Sequence, residues 1–261
     1  MKRDLGTLGH VAVAEVHGSD LTIVNAARAS YARTASTFGE PERRLLAYLA
    51  RHGHGSPFRH ASIAFDIEAP MMVARQWFKY RVGSAHTPDV AELDAIDLPI
   101  VARTEDGQGD DGDGDLLHAR NEASRRYVRD EPTFYVPGEW RRAPVTGKQG
   151  SGDPIDGAES DTWSRLLGWH VAIGTRSYRR AIEAGLAPEQ ARLFLPAYAL
   201  RTSWRWTASV AAVAHFVRER THAGAQWEMR QFANAVRELA TEAFPVAIPL
   251  LLATDSADAV R

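Results

Sequence analysis

Two short stretches near the start of the chain alternate between apolar and polar positions. They are residues 10–17 (His-Val-Ala-Val-Ala-Glu-Val-His) and residues 61–68 (Ala-Ser-Ile-Ala-Phe-Asp-Ile-Glu). Side chains of a β-strand point alternately to opposite faces, so a period of two is typical of a half-buried strand. The pattern therefore predicts a strand in each stretch.

Helical spacing of apolar residues predicts three helices around these strands. The first is expected from an N-cap at Asp20 to about Ala32, and the second over residues 40–53. The third is expected from Pro70, a residue suited to the first turn of a helix, to about Val82.

The second half of the chain has mainly helical patterns. A long amphipathic helix is expected over residues 160–184, and further helices over 188–202, 205–222 and 224–243. We therefore predict an α+β fold in a single domain spanning 1–261, with its strands mostly in the first half.

Two polar stretches are predicted to be loops. Residues 104–115 are acidic, rich in glycine and free of apolar side chains, so burial cannot offset their ordering entropy and we expect a mobile loop. Asp111, Asp113 and Asp115 alternate as in a calcium loop, but the later bidentate glutamate is missing. Residues 144–157 are expected to form a second surface loop.

Composition excludes or disfavours several classes of function. The 261 residues include 31 basic and 33 acidic side chains, a net charge of −2 that argues against nucleic-acid binding. The chain has no cysteine, which excludes disulfides, thiolate metal sites and cysteine nucleophiles and fits a cytoplasmic protein. No apolar run approaches the ~18 residues of a membrane span. The basic start is not followed by the apolar region of a secretory signal.

Basic residues concentrate in two segments. In residues 75–84 (Arg-Gln-Trp-Phe-Lys-Tyr-Arg-Val-Gly-Ser), Gln76 and Lys79 share a helical face and form an anion site with an amide that reads a base or fixes a phosphate. In residues 120–127 (Arg-Asn-Glu-Ala-Ser-Arg-Arg-Tyr), three arginines flank Ser124 and suit a phosphate. A solvated basic helix end is the competing interpretation, and composition alone favours it.

Histidines suggest a metal site but do not complete one. His215, Glu219 and His222 share a helical face by their spacing. A second group comprises His52, His54 and His60. Neither group matches a full ligand motif, so we predict no metal site.

Six short blocks follow one another between about residue 10 and residue 240. They are 25–30 (Asn-Ala-Ala-Arg-Ala-Ser), 52–58 (His-Gly-His-Gly-Ser-Pro-Phe), 74–78 (Ala-Arg-Gln-Trp-Phe), 134–137 (Phe-Tyr-Val-Pro), Ala191-Arg192 with Leu195-Pro196, and 225–228 (Ala-Gln-Trp-Glu). Their joint occurrence in this order resembles the flavin-dependent thymidylate synthases. The resemblance implies an α+β subunit with a mixed sheet and long helices, assembled as a homotetramer with active sites at subunit interfaces.

The signature of that family is altered and split in this chain. Residues 79–84 resemble its first half, with Lys79 and Tyr80 in place of Arg and His, and residues 121–127 resemble its second half. Between them lies an insertion over about 85–120, which is tolerable because loop-closure entropy grows slowly with length. We interpret the two halves as one nucleotide site interrupted by a surface excursion.

The resemblance implies a set of site residues. Pyrimidine-nucleotide contacts fall on Gln76, Lys79, Glu122, Ser124, Arg125, Arg126, Arg192 and Arg220, with Arg126 and Arg192 as the phosphate clamps. Contacts to FAD fall on Ser30, His54, Ser56, Lys79, Tyr80, Arg81, Val82, Ser209 and His215. Arg220 matches the catalytic arginine of the family, which contacts the uracil ring and favours ionisation at nitrogen 3. A guanidinium suits this role because it stays protonated and stabilises anionic charge.

The implied chemistry is reductive methylation of carbon 5 of uracil. Methylenetetrahydrofolate supplies the carbon, reduced FAD supplies the electrons and NADPH re-reduces the flavin. The altered signature and the insertion favour an enzyme that methylates UMP and/or dUMP in nucleoside-antibiotic biosynthesis, as in the polyoxin pathway. The alternatives are a housekeeping enzyme acting on dUMP only, and a degenerate homologue that binds nucleotide or flavin without catalysis.

Overall fold

The computed structural model describes residues 1–78, 119–128, 130–145 and 150–253. Five strands within these ranges form one sheet of order β1-β2-β3-β5-β4. They are β1 Lys2–Asp4, β2 His10–His17, β3 Ser62–Pro70, β4 Ala119–Glu122 and β5 Arg201–Ser209. Every neighbouring pair is antiparallel, so the expectation of a mixed sheet is wrong for the described strands.

The helices of the described residues and this sheet form an α+β fold, as predicted. They are α1 Asp20–Arg28, α2 Glu40–Arg51, α3 Met71–Phe78, α4 Gly157–Glu183, α5 Pro188–Ala191, α6 Val210–Thr221, α7 Trp227–Ala243 and α8 Ala247–Ala253. Short 3-10 turns follow α1 at Ala29–Tyr31, precede β3 at Ser56–Arg59 and follow α5 at Arg192–Phe194. The predicted end of the third helix at Val82 and the predicted loop 104–115 lie outside the described residues.

The main correction concerns β5. Residues 188–202 and 205–222 were expected to be helical, but Arg201–Ser209 form a strand that pairs with all of β3. The segment alternates in burial, with Thr202, Trp204 and Trp206 buried and the residues between them more exposed. This period of two is the signature of a strand, and the flanking helical patterns obscured it.

The core lies beneath one face of the sheet and is rich in aromatic side chains. Cross-strand pairs of β3 and β5 form the side of the core that faces the sheet. Phe65 lies opposite Trp206, and their rings stack with 5.6 Å between centroids. Trp77 of α3 packs against Trp206 at 5.3 Å and against Phe216 of α6 at 4.3 Å, measured between ring centroids. Burial of these large rings fixes α3 and α6 relative to the sheet.

The start of α1 joins the two ends of the chain. Ser19 is the N-cap residue, and its backbone N–H donates to Thr22 Oγ1 at 3.0 Å, so the expected cap at Asp20 is displaced by one residue. Asp20 is instead the first residue of α1 and is buried. Its carboxylate accepts the backbone N–H groups of Val246 and Ala247 at 3.0 and 2.9 Å, which caps α8.

We expect Asp20→Ala to lower the free energy of unfolding by about 2 kcal/mol, because it leaves two buried N–H groups without an acceptor. Asp4 is the matched control, since its exposed carboxylate accepts the N–H of Gly6 at 2.8 Å and water replaces that bond. Asp4→Ala is therefore expected to cost less than about 0.5 kcal/mol. Urea denaturation measures both, and equal losses would contradict the capping role.

The stability of the wild type and that of Asp20→Ala should depend differently on pH. Burial raises the pKa of Asp20 above its ordinary value of 3.8, and the two backbone hydrogen bonds offset this only in part. The folded state then binds the proton more tightly than the unfolded chain. The stability of the wild type relative to Asp20→Ala should consequently fall as the pH rises from below 3.8 through the raised pKa.

Candidate active site

A cavity of about 800 Å³ opens at the end of the sheet where β3, β4 and β5 lie side by side. The antiparallel register brings the last residues of β3 opposite the first of β5, with Pro70 paired to Arg201. The wall of the cavity comes from the end of β4 and the turn after it, from the segment between α5 and β5, and from the start of α3.

Positive charge dominates this wall. Five arginines line the cavity, namely Arg75, Arg125, Arg126, Arg192 and Arg201. The lining carboxylates are Glu68 and Glu122, and Glu68 is paired with the Arg201 guanidinium at 3.2 Å. A concave surface with this excess of guanidinium groups attracts anions and suits phosphate or carboxylate ligands.

The turn after β4 presents Arg126 rather than Arg125. Ser124 organises the turn, since its carbonyl accepts the N–H of Tyr127 at 2.9 Å and its Oγ accepts the N–H of Arg126 at 3.3 Å. Arg125 donates back to the carbonyls of Asp130 and Glu131, which ties the turn to the following chain. The Arg126 guanidinium lies 5.1 Å from the Tyr127 ring and is exposed, so it is the more accessible ligand group.

Glu122 stands at the end of β4 beside the buried Thr202 of β5. The Thr202 hydroxyl donates to Glu122 Oε1 at 2.9 Å, and the neighbouring ladder bond runs from the Ala123 N–H to the Ser203 carbonyl at 2.8 Å. These bonds hold the Glu122 carboxylate in a wall whose other lining carboxylate among the described residues, Glu68, is paired with Arg201. A hydroxyl or N–H donor of a ligand would be its natural partner.

Arg192 is positioned by the packing of α4. Its Nε donates to the Glu189 carbonyl at 3.2 Å, which leaves the terminal nitrogens of the guanidinium for the cavity. A small apolar cluster beneath it consists of Tyr178, Ala181, Ala191, Leu195 and Leu200. The 3-10 turn Arg192–Phe194 approaches α4 most closely at Gly174, where an added Cβ would lie 2.5 Å from the Phe194 carbonyl oxygen.

The end of the described part of α3 lies in contact with the start of β4. The Arg120 guanidinium lies 3.9 Å from the centroid of the Phe78 ring and donates to the Phe78 carbonyl at 3.4 Å. Phe78 ends the described part of α3, and Arg120 belongs to β4, so this strand begins inside the predicted insertion 85–120. The chain just before the first half of the signature, at Phe78, therefore lies beside the chain just before its second half, at Arg120. Residues 79–84 lie outside the described residues, so the interrupted nucleotide site stays a prediction.

The predicted nucleotide residues separate into two groups. Glu122, Ser124, Arg125, Arg126 and Arg192 all line the cavity. Among the described residues, Gln76 and Arg220 are not part of its wall. Gln76 donates to Gln226 at the start of α7, and Arg220 lies half-buried near the end of α6.

Other cavity residues were missed by sequence analysis. Glu68, Arg75, Arg201 and Thr202 are among them. Arg75 lay within the basic segment already noted. The other three depend on the pairing of β3 with β5, and only the alternation along 201–209 gave a signal for it.

Three of the predicted flavin contacts are exposed. Ser30 and Ser56 belong to the 3-10 turns after α1 and before β3, and His54 precedes the second turn. Tyr48 stacks near His52 and His54, with ring centroids 4.3 and 6.0 Å from its own. The exposed hydroxyls of Ser30 and Ser56 and the exposed group of Tyr48 with His54 are of the chemical types that contact a planar ring system carrying polar substituents, so the residues present are compatible with a flavin.

The remaining flavin predictions differ in outcome. Ser209 is 0% exposed in the single chain, and its Oγ accepts the Ala212 N–H at 3.2 Å, so its hydroxyl caps α6; its contact to the flavin stays a prediction. His215 is half-buried, with Nδ1 3.4 Å from a guanidinium nitrogen of Arg218. The predicted contacts Lys79, Tyr80, Arg81 and Val82 lie outside the described residues.

Two kinds of feature are absent from the described part of the chain. No group of three or more His, Asp or Glu side chains there is arranged to hold a metal ion. No helix of residues 1–78, 119–128, 130–145 and 150–253 has the length and apolar character needed to cross a bilayer.

An α+β chain with an arginine-lined cavity at the sheet end has the features of an anion-binding protein. The family model described as "Thymidylate synthase complementing protein" matches residues 12–91 and 116–246. The match is interrupted within the predicted insertion.

Curated relatives give the same assignment over most of the chain. A flavin-dependent thymidylate synthase of Thermosipho africanus is 29% identical over 237 residues, covering 91% of this chain and 88% of the relative. One of Thermus thermophilus is 32% identical over 239 residues, covering 92% of this chain and 74% of the relative. The chain therefore belongs to the family of the flavin-dependent thymidylate synthases and is a methyltransferase enzyme.

A solved structure shares the fold. The UMP/dUMP methylase PolB from Streptomyces cacaoi, bound with 5-Br UMP, superposes with a TM-score of 0.71 at 24% identity, covering 94% of this chain and 93% of that one. A likeness at this identity establishes the fold of the chain.

Two glycines of α4 test how the cavity wall is held. Gly174→Ala should displace the segment that carries Arg192 and lower the free energy of unfolding by about 1–3 kcal/mol, because the new Cβ meets backbone. Gly168→Ala on the same helix meets nothing within 4 Å and should be neutral or stabilise by up to about 1 kcal/mol. Urea denaturation compares the two variants. A Gly174→Ala protein as stable as Gly168→Ala would refute the close contact.

Proposed function

We propose that this enzyme methylates carbon 5 of the uracil ring of UMP and/or dUMP. The single observation that carries the proposal is the cavity in which Arg126 and Arg192 come from distant parts of the chain to one basic wall. A nucleotide monophosphate supplies the anion, and the family supplies the reaction type.

The distribution of charge along the cavity wall supports one orientation of the nucleotide. We propose that the phosphate binds at Arg126 and Arg192, which both line the cavity. Glu122 would repel a phosphate, so the sugar or base lies on its side and offers it a hydroxyl or N–H. Ser124 and Arg125 support the phosphate end. Gln76, Lys79 and Arg220 retain their predicted roles in nucleotide binding.

The chain needs no nucleophile of its own. Carbon 5 of uracil is a poor nucleophile, and a chain without cysteine cannot activate it by thiolate addition. The protein instead holds the uracil in place and stabilises charge. Arg220 is proposed to stabilise the negative charge that develops at nitrogen 3 of the ring, since a guanidinium is a strong donor to anionic groups.

The flavin is proposed to bind at Ser30, His54 and Ser56, with Lys79, Tyr80, Arg81, Val82, Ser209 and His215 as further contacts. When bound, reduced FAD supplies the hydride, methylenetetrahydrofolate supplies the carbon and NADPH restores the flavin. The chain's task is to orient these partners, exclude water and fix the ring of the substrate. The cytoplasmic location and the single domain over residues 1–261 also stay predictions.

Substrate choice is the finer part of the proposal. The structural neighbour is named as a UMP/dUMP methylase, and its fold extends over nearly the whole of this chain. The name of this neighbour is the reason to propose activity on both nucleotides. The role in nucleoside-antibiotic biosynthesis stays a prediction from the altered signature and the insertion. A housekeeping enzyme acting on dUMP only is the alternative, and the names of the curated relatives favour it.

A homotetramer is part of the proposal. Four apolar side chains on one side of α4, Trp163, Leu166, Trp169 and Ile173, are between 42% and 58% exposed in the single chain. Their spacing of three, three and four residues places them on one helical face. A contiguous exposed apolar face of this kind marks a protein interface, and a second copy of this chain is the partner proposed.

Activity measurements test the reaction and its substrate. Protein supplied with FAD, NADPH, methylenetetrahydrofolate and either UMP or dUMP is expected to give a 5-methylated product from both. Arg192→Gln should weaken nucleotide binding by about tenfold or more, because it removes a charge-assisted hydrogen bond. Arg237→Gln, an exposed arginine of α7, should change nothing. Product from dUMP alone would select the housekeeping alternative, and no product from either would contradict the proposal.

The assembly is tested by placing charge on the exposed face of α4. Trp163→Glu combined with Trp169→Glu should convert the tetramer to smaller species in analytical ultracentrifugation, since desolvating two carboxylates opposes association. Asp161→Lys changes charge on the other side of the helix and should leave the tetramer intact. A monomeric wild type, or a tetramer unaffected by the double substitution, would rule out this interface.

A further inference from the structure

The block 225–228 (Ala-Gln-Trp-Glu) has so far no role in the site. It lies where α7 begins, with Gln226 just before the helix and Glu228 in its first turn. A chain of side-chain hydrogen bonds runs from it to α3. Gln76 Nε2 donates to Gln226 Oε1, and Gln226 Nε2 donates to Glu228 Oε2 at 2.8 Å. Each bond is partly buried.

Glu228, the last residue in this series of hydrogen bonds, determines the orientation of both amides. An ionised carboxylate only accepts hydrogen bonds, so Glu228 requires Gln226 to turn its NH₂ group toward it. The same NH₂ group lies 3.7 Å from Met72 Sδ, a second acceptor. The carbonyl of Gln226 then faces Gln76, so Gln76 must donate a hydrogen bond from its own NH₂ group. One N–H and the carbonyl of Gln76 are left for a ligand, in a fixed order.

Two contacts of Trp227 hold the start of α7 in place, and with it Gln226 and Glu228. The Trp227 N–H donates to Ser151 Oγ at 3.4 Å, and the Arg141 guanidinium lies 4.9 Å from the Trp227 ring centroid. Burial, and after it the charge of Glu228, raises the pKa of Tyr135 to about 12. The phenol is therefore a protonated, neutral neighbour of this carboxylate at physiological pH.

We propose that Gln226 and Glu228 are positioning residues that fix the amide of Gln76, so that its remaining N–H and carbonyl meet the pyrimidine nucleotide in one orientation. The inference rests on the proposed function, in which Gln76 binds the nucleotide. An amide has nearly the same shape in its two orientations, and an unfixed one presents donor and acceptor in either order. The uracil ring and the phosphate are common to UMP and dUMP, so the effect on both nucleotides is the same.

Isothermal titration with UMP and with dUMP tests this chain of bonds. Glu228→Met keeps the approximate shape but removes the acceptor, and should weaken binding of both nucleotides by about three- to tenfold. Glu228→Gln keeps an acceptor but loses the fixed direction, and should give a smaller loss. Glu159→Met removes a carboxylate from the first turn of α4 and controls for the helix dipole, so it should bind as the wild type.

A double substitution separates positioning from a general structural effect. If Glu228 acts through Gln76, then Glu228→Met added to Gln76→Ala should change affinity by less than about twofold. Equal losses in both backgrounds would overturn the proposal, as would wild-type affinity in Glu228→Met. If Glu228→Met does not fold, Gln226→Met replaces it in the same comparison, with the same expected and contrary results.

The outcomes also separate this inference from the function on which it rests. A wild type that binds neither nucleotide would refute the proposed function itself. A wild type that binds both, together with a Gln76→Ala variant of unchanged affinity, would refute only the role of Gln76 and its two partners.

Discussion

The pairing of β3 with β5 is the constraint on which the rest of the structure depends. Ser62–Pro70 pair with Arg201–Ser209 without interruption, although well over a hundred residues of chain separate the two strands. A slip of one residue would turn Trp204 and Trp206 away from the core and bring Arg205 into it. The aromatic cluster beneath the sheet thus sets the register. The register in turn brings Glu68, Arg201 and Thr202 to the cavity wall.

Local pattern was sufficient to predict several elements in the first half of the chain, but it missed the short strands β1 and β4. The alternation over residues 10–17 and 61–68 gave β2 and β3 within one or two residues, and helical spacing gave α1 and α2. It failed for Arg201–Ser209. Short segments with bulky apolar residues fit either structure, and the choice is made by a partner strand that local sequence does not reveal. The prediction that Asp20 is the N-cap of α1 was wrong for a similar reason. Its carboxylate accepts hydrogen bonds from Val246 and Ala247, which are far from it in the sequence.

The residues of the candidate site likewise divide into those that the sequence predicted and those that depend on strand pairing. Arg125, Arg126 and Arg192 were identified from motif resemblance, and the fold brings them to one cavity. Arg201 and Thr202 were not, since they become wall residues only through their place at the start of β5. Ser209 is a separate case: motif position predicts a ligand contact, while the local backbone uses its hydroxyl as a helix cap. Resemblance transfers residue identities well, but geometry decides which of them face the ligand.

Electrostatics connects this fold to its proposed chemistry. The chain as a whole has a net charge of only −2, yet the cavity concentrates guanidinium groups at one end of the sheet. Hydrogen–deuterium exchange with and without UMP tests most directly whether that cavity is the nucleotide site. The account predicts slower exchange in residues 122–126 and 192–203 when the nucleotide is bound. Binding that leaves both segments unchanged and protects amides elsewhere would contradict it.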